Sequence, residues 1–185
     1  MSRLILVPTA LEADLLGLGD DAVVCGFGLV EAAVGASRVF ADRAPDEAVL
    51  VGAAGAYRPD RIPIGSALIA SAVRCEGIGV GEQSAAELGW TDLDVIELAG
   101  DGGQVLSVAA ASEDDARAAD RASRHPDAVA EEMEGFAVAL AAQRFGVRLT
   151  IVRGISNVAG DREHDRWQMD EALAAARRKV AGMLR

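Results

Sequence analysis

The sequence predicts one α/β domain over residues 1–185, with helices laid on both faces of a mixed or largely parallel sheet. Three observations lead there. Short β-branched or apolar runs alternate along the chain with Ala-rich stretches of helical spacing. Hydrophobic residues make up 51% of the chain but aromatic ones only 4%, so the core must be built from Ala, Val, Leu and Ile, which suits close layers of helix on sheet. No repeat, low-complexity tract or linker divides the 185 residues.

Taken in order, strands are expected over 4–7, 22–25, 48–51, 67–73, 105–109, 128–130 and 148–153, each a short apolar run bounded by turn-forming residues. Helices are expected over 29–41 and 133–145, where apolar residues recur on a broad face, and over 166–184, whose outer side is charged. A further helix over 112–121 has Ser112 as its expected N-cap, with Asp115 three residues on in a modest capping-box pattern. Residues 77–103 break every clean period with glycines, carboxylates and Trp90, and are expected as loops that overlie or line a site. In such an architecture the functional loops gather at the C-terminal ends of the strands.

A net charge of -11 with no basic cluster beyond Arg177, Arg178 and Lys179 argues against a nucleic-acid partner. The apolar stretch before Glu12 is too short for a signal peptide or a membrane span, which implies a cytoplasmic protein with no membrane partner. Cys25 and Cys75 lie in or beside apolar runs and read as small buried hydrophobes. With those two separated cysteines and only His125 and His164, no metal-binding constellation stands out.

Four local features carry chemistry. Gly26-Phe27-Gly28 follows a strand and opens a helix, but Glu31 stands where a dinucleotide fingerprint needs its third glycine, and no ribose-binding acid follows near residues 50–52. No nicotinamide cofactor, and no other cofactor, is expected. Gly52-Ala53-Ala54-Gly55 ends a strand with small side chains that let backbone approach a ligand, yet offers no Ser, Thr or Lys to hold phosphate. Glu131-Glu132-Met133-Glu134-Gly135 places three carboxylates between a strand and a helix: acids suited to a helix N-terminus, or groups able to accept from two vicinal hydroxyls together. Arg153-Gly154-Ile155-Ser156-Asn157 ends another strand; alone, its Ser and Asn are ordinary loop punctuation.

Glu-Met-Glu-Gly at 132–135 followed by Arg-Gly-Ile-Ser-Asn at 153–157 resembles the nucleoside phosphorylase and nucleosidase superfamily. The first strand with Glu12 close behind it, and the small-residue strand ends at Gly26–Gly28 and Gly52–Gly55, extend the resemblance along nearly the whole chain. The ending from Ser156-Asn157 through Gly160-Asp161-Arg162 to Trp167 looks more like the futalosine hydrolases than like the methylthioadenosine/S-adenosylhomocysteine nucleosidases. The resemblance implies a three-layer α/β/α domain of the nucleoside phosphorylase kind, with a central mixed sheet.

It also implies roles. Glu12 would be the general base that activates water, and Asn157 would face the purine. Glu134, with Glu132 a weaker candidate, would hold ribose hydroxyls, Met133 would pack on the sugar, and Ser156, Phe27 and Gly55 would line the site. The adenine-directed nucleosidases carry Asp at the position of Asn157. A carboxamide can donate toward a 6-oxo group, which a carboxylate would repel, so the change favours hypoxanthine as the base. Ala53 and Ala54 stand where the family's phosphorylases hold phosphate, which favours water as the nucleophile. The implied partner is a small purine nucleoside and the implied assembly a homo-oligomer. The alternatives left open are a related purine nucleosidase or phosphorylase, acting on methylthioadenosine, S-adenosylhomocysteine or inosine, and a non-catalytic nucleoside-binding module.

Overall fold

The computed structural model describes residues 2–183 apart from 82 and 92. Its first strand, β1 (Arg3–Val7), shows how two helical layers are fixed by a run of five residues. Leu4 and Leu6 enter one apolar cluster while Ile5 and Val7 enter another, because successive side chains leave opposite faces of a strand. The chain continues through α1 (Ala10–Leu16), β2 (Ala22–Val24), α2 (Gly28–Arg43) and β3 (Glu47–Ala56). In β3 the same alternation recurs, with Ala48 and Leu50 on the first face and Val49 and Val51 on the second.

After β3 come β4 (Ala67–Ile69), β5 (Ala72–Cys75), the small hairpin of β6 (Gly79–Val80) and β7 (Gln83–Ser84), and the antiparallel strand β8 (Val95–Glu97). The second half holds β9 (Gln104–Ser107), α3 (Asp115–Arg124), β10 (Ala128–Glu132), α4 (Gly135–Phe145), β11 (Arg148–Val158) and α5 (Met169–Met183). Nine strands form one mixed sheet in the order β2-β1-β3-β10-β9-β5-β8, with β11 on the other flank of β3 and β4 beside β11. The α2 and α4 helices pack on each other over one face, through Ala32, Ala36 and Phe40 of the first and Phe136, Val138 and Ala142 of the second. On the opposite face α1 and α5 pair through Ala13, Leu16, Leu173, Ala176 and Val180. The three-layer α/β/α domain with a central mixed sheet is therefore as expected.

The β3 strand organises the molecule. β1 pairs in parallel with its first half, β10 pairs antiparallel with its end, and β11 runs parallel along its whole other flank. Where β1 gives way to β10, Val51 to Ala54 of β3 have no paired strand on that flank.

Several local expectations change. The run over 67–73 is two strands, because the chain leaves β11 after Ile69 and joins β9 at Ala72. Asp114, not Ser112, caps α3, accepting from the Arg117 N–H at 2.8 Å. Ser112 is instead fully buried and bonded to Glu131. The terminal helix begins at Met169, after a 3-10 turn over His164–Arg166, and its expected last residue, 184, lies outside the described residues. The short helix α1 was not anticipated. No helix among the described residues is long and apolar enough to cross a membrane. Cys25 and Cys75 are buried free thiols, pushed up to about 12 and about 11, in both cases chiefly by desolvation.

Candidate active site

Thr9 begins α1 as its N-cap, and Glu12 is the third residue inward. The Thr9 hydroxyl accepts from the Glu12 N–H at 3.2 Å and donates to Glu12 Oε2 at 2.8 Å. This reciprocal cap turns the acid inward, so Glu12 is 8% exposed and its Oε1 accepts from the Ala53 N–H at 3.0 Å. The small residues at the end of β3 make this possible. A Cβ on Gly52 would collide with Arg153 Nη1 and lie 2.7 Å from Glu12 Oε1, so these two side chains share the space above one glycine.

Arg153 is fully buried in β11. Its Nη2 donates to Glu132 and, at 3.2 Å, to Glu134, while its Nε and Nη1 have no hydrogen-bond partner among the described residues. Burial alone would pull the guanidinium down. Glu132, Glu134 and Glu12 together outweigh it and hold the group above its ordinary value, so Arg153 is a permanent cation.

Glu132 ends β10 and caps α4. Its Oε2 accepts from the Glu134 and Gly135 N–H groups at 3.0 and 2.7 Å and from Arg153, and its Oε1 accepts from the Ser107 hydroxyl. With both oxygens engaged by the protein, Glu132 anchors Arg153 and the start of α4. Glu134 is bound more sparingly, by the Gly28 N–H at 3.0 Å and by Arg153. The Gly28 contact needs a left-handed residue at the entry to α2, and Gly28 has φ of +77°. Desolvation, eased by Arg153 but reinforced by the nearby Glu132, raises the Glu134 carboxyl from 4.5 to about 7.

Asn157 lies across β3 from these acids and is 8% exposed. Its Nδ2 donates to the Val158 carbonyl at 2.8 Å and its Oδ1 accepts from the Ser156 hydroxyl at 2.7 Å. Both contacts fix the same orientation of the amide, leaving one N–H without an acceptor among the described residues. Ser156 thus acts on Asn157 from within the strand.

A cavity of about 350 Å³ collects these groups. Of the residues expected at the site, Glu12, Phe27, Gly55, Glu132, Met133, Glu134, Ser156 and Asn157 all line it. Sequence reasoning gave no site role to Glu131, Arg162, His164 and Trp167, which line it too, nor to Arg153, which sits directly behind it. Trp167 stacks obliquely on His164 with ring centroids 4.4 Å apart, and the Arg162 guanidinium lies 5.3 Å from the Trp167 ring centre. The signal for Arg153 was present in the sequence as a lone charge inside an apolar strand. In contrast, no described residue of 77–103 lines this cavity: that segment walls a separate hollow with Arg74, Arg121 and Arg124, and the expectation that it covers the site is corrected.

A cavity lined by four carboxylates and a donor amide, with a buried arginine behind it, can bind a polar ring-bearing ligand and activate water beside it. The phosphorylase superfamily model matches residues 22–185. The chain is 33% identical over 178 residues to a futalosine hydrolase of Streptomyces coelicolor, covering 81% of this chain and 75% of that one. It is 31% identical to a futalosine hydrolase of Thermus thermophilus, covering 98% and 94%. Among solved structures, 5'-methylthioadenosine/S-adenosylhomocysteine nucleosidase from Helicobacter pylori superposes with a TM-score of 0.83 at 18% identity, over 100% of this chain and 98% of that chain. The futalosine hydrolase of Helicobacter pylori gives 0.81 at 17%, over 98% and 96%. The chain belongs to the phosphorylase superfamily, and within it to the family of the futalosine hydrolases. It is an enzyme of the N-glycosyl hydrolase class.

Proposed function

We propose that this enzyme hydrolyses the N-glycosidic bond of futalosine, releasing hypoxanthine and dehypoxanthine futalosine, a step of menaquinone biosynthesis. One observation carries the choice of base: the Asn157 amide is held by Val158 and Ser156 so that it offers an N–H rather than a carbonyl. Such a donor suits the O6 or N7 acceptors of a 6-oxopurine. The names of the relatives support the same reading.

The mechanism follows from the carboxylates and the arginine. Glu12, fixed by Thr9 and Ala53, takes a proton from a water held beside Gly52, where Arg153 Nη1, without a hydrogen-bond partner among the described residues, also lies. The C1′–N9 bond stretches, the ribose gains oxocarbenium character, and the buried acids favour that positive charge. Glu134 accepts from ribose hydroxyls, Met133 packs on the sugar, and the Asn157 N–H stabilises the departing purine as its negative charge grows. Water rather than phosphate suits Ala53 and Ala54, which bring no hydroxyl to the strand end, and Arg153, whose charge is already balanced by Glu132 and Glu134.

Release of the free base is to be followed, as hypoxanthine from futalosine and inosine and as adenine from methylthioadenosine, each with and without phosphate. Futalosine should be cleaved best and without phosphate, and Asn157→Asp should lower its kcat/KM by at least tenfold. Preference for methylthioadenosine, or dependence on phosphate, would defeat the proposal. Binding of purines without release from any nucleoside would favour the non-catalytic module.

The proposal includes a cytoplasmic homo-oligomer. Phe27 is 57% exposed at the cavity rim, and Val30 and Val34 continue its row along α2 at 78% and 66%, an apolar face that a second copy of the chain would cover.

A further inference from the structure

Glu131 is the one carboxylate of the cavity that the mechanism leaves unused. It is 5% exposed and lines the same cavity as Asn157. Its place is fixed by the sheet. Gly55 of β3 pairs with Glu131 of β10 on one side and with Asn157 of β11 on the other, so the two residues flank a floor that carries no side chain.

The protein's donors fall unequally on its two oxygens. Oε2 accepts from the Tyr57 hydroxyl at 2.8 Å, the Ser112 hydroxyl at 2.7 Å and Arg121 Nη1 at 3.3 Å. Oε1 accepts only from the Ser112 N–H, at 2.7 Å, among the described residues. A carboxylate oxygen has room for a second donor, so Oε1 keeps an acceptor position on a group otherwise locked in place. Tyr57 remains a donor, since burial, reinforced by Glu131, pushes its phenol well above the ordinary range.

Resting on the functional reading above, we propose that Glu131 is a specificity-determining residue that accepts the N1–H of a 6-oxopurine while Asn157 donates to the opposite part of the same ring edge. A 6-oxopurine carries a proton on N1 and an acceptor at O6. Adenine reverses both: its N1 is an acceptor and its 6-amino group a donor. A fixed carboxylate and a fixed amide N–H on either side of Gly55 therefore match the first pattern at two points and oppose the second at both. The desolvated carboxylate makes the mismatch costly, because a lone pair facing Oε1 would leave two acceptors in contact.

The test is equilibrium binding of free bases by calorimetry, with the folded state of each protein checked by thermal melting. Wild type should bind hypoxanthine at least tenfold more tightly than 6-methoxypurine, which keeps an oxygen at position 6 but has no N1–H. Glu131→Gln should cut the hypoxanthine-to-adenine affinity ratio by about tenfold, because a neutral amide can turn an N–H toward N1 of adenine. Tyr57→Phe, which leaves the carboxylate, should keep the wild-type ratio. Equal wild-type affinity for hypoxanthine and 6-methoxypurine overturns the proposal, and so does an unchanged ratio in folded Glu131→Gln. If that variant does not fold, the wild-type comparison decides alone. Failure of the two readings can be separated: futalosine hydrolysis with no N1–H preference defeats only the role of Glu131, while the preference without hydrolysis defeats only the catalytic assignment.

Discussion

At the scale of single residues, Glu134 is pulled two ways. Burial and the neighbouring Glu132 favour its neutral form, while Arg153 and the Gly28 N–H favour its anion, and the outcome is a carboxyl raised to about 7. For catalysis the anion is the useful form, since it can accept from two ribose hydroxyls, so kcat/KM should rise with pH through about 7. Stability runs the opposite way. The folded state binds the proton more tightly than the unfolded chain, so the contribution of Glu134 is fully present below 4.5 and is lost as pH rises to about 7. Thermal melting of wild type and Glu134→Gln from pH 4.5 to 8 should show the wild type losing ground to the variant across that window. A constant difference between the two would show that Glu134 does not titrate there. The sequence exposed these acids as a cluster but could not sort them. Glu132 is fully engaged and Glu134 more sparingly bound because Arg153, distant in the chain, bonds to both.

At the scale of elements, the segment from β9 to α3 departs most from its sequence pattern. Ser-Glu-Asp-Asp offers three side chains able to cap α3, and a local rule cannot choose among them. The choice is made by Glu131: a buried carboxylate needs donors, and Ser112 supplies both its N–H and its hydroxyl while Asp114 takes over the cap. Ser112→Ala should therefore be the costlier change. It should cost about 1–3 kcal/mol through the weakened buried carboxylate, against about 1 kcal/mol for Asp114→Ala as an ordinary lost N-cap. Urea unfolding of the two variants checks the order, and a Ser112→Ala that costs less than Asp114→Ala would show that the Ser112 hydroxyl does little to hold the Glu131 carboxylate. The division of 67–73 into β4 and β5 was hidden for a related reason. The run is apolar but for Ser71, and the break is set by a change of partner strand from β11 to β9. The α/β alternation and the two strand-end motifs were legible because they depend on local periodicity and on residue types brought to one sheet edge.

At the scale of the whole molecule, the cavity opens beside an uncovered apolar surface. Leu11 and Phe27 line the cavity and are 64% and 57% exposed, and Val30 and Val34 extend the same face along α2. Residues 77–103, expected over the cavity, lie at another hollow, so within one chain the rim is made by α1, the start of α2 and the segment that carries Arg162 and His164. A net charge of -11 would keep copies apart unless an apolar patch drew them together, and the Phe27, Val30 and Val34 spacing puts three large exposed side chains on one helix face. Val34→Glu places a charge at the far end of that row, outside the core and away from the cavity. In sedimentation analysis the wild type should be a homo-oligomer, and Val34→Glu should shift it toward the monomer while its thermal melting remains cooperative. If the face also excludes water from the substrate, kcat/KM should fall at least tenfold in the same variant and recover when protein concentration is raised enough to restore assembly. A wild type that sediments as a monomer with full activity would show that one chain closes the site by itself.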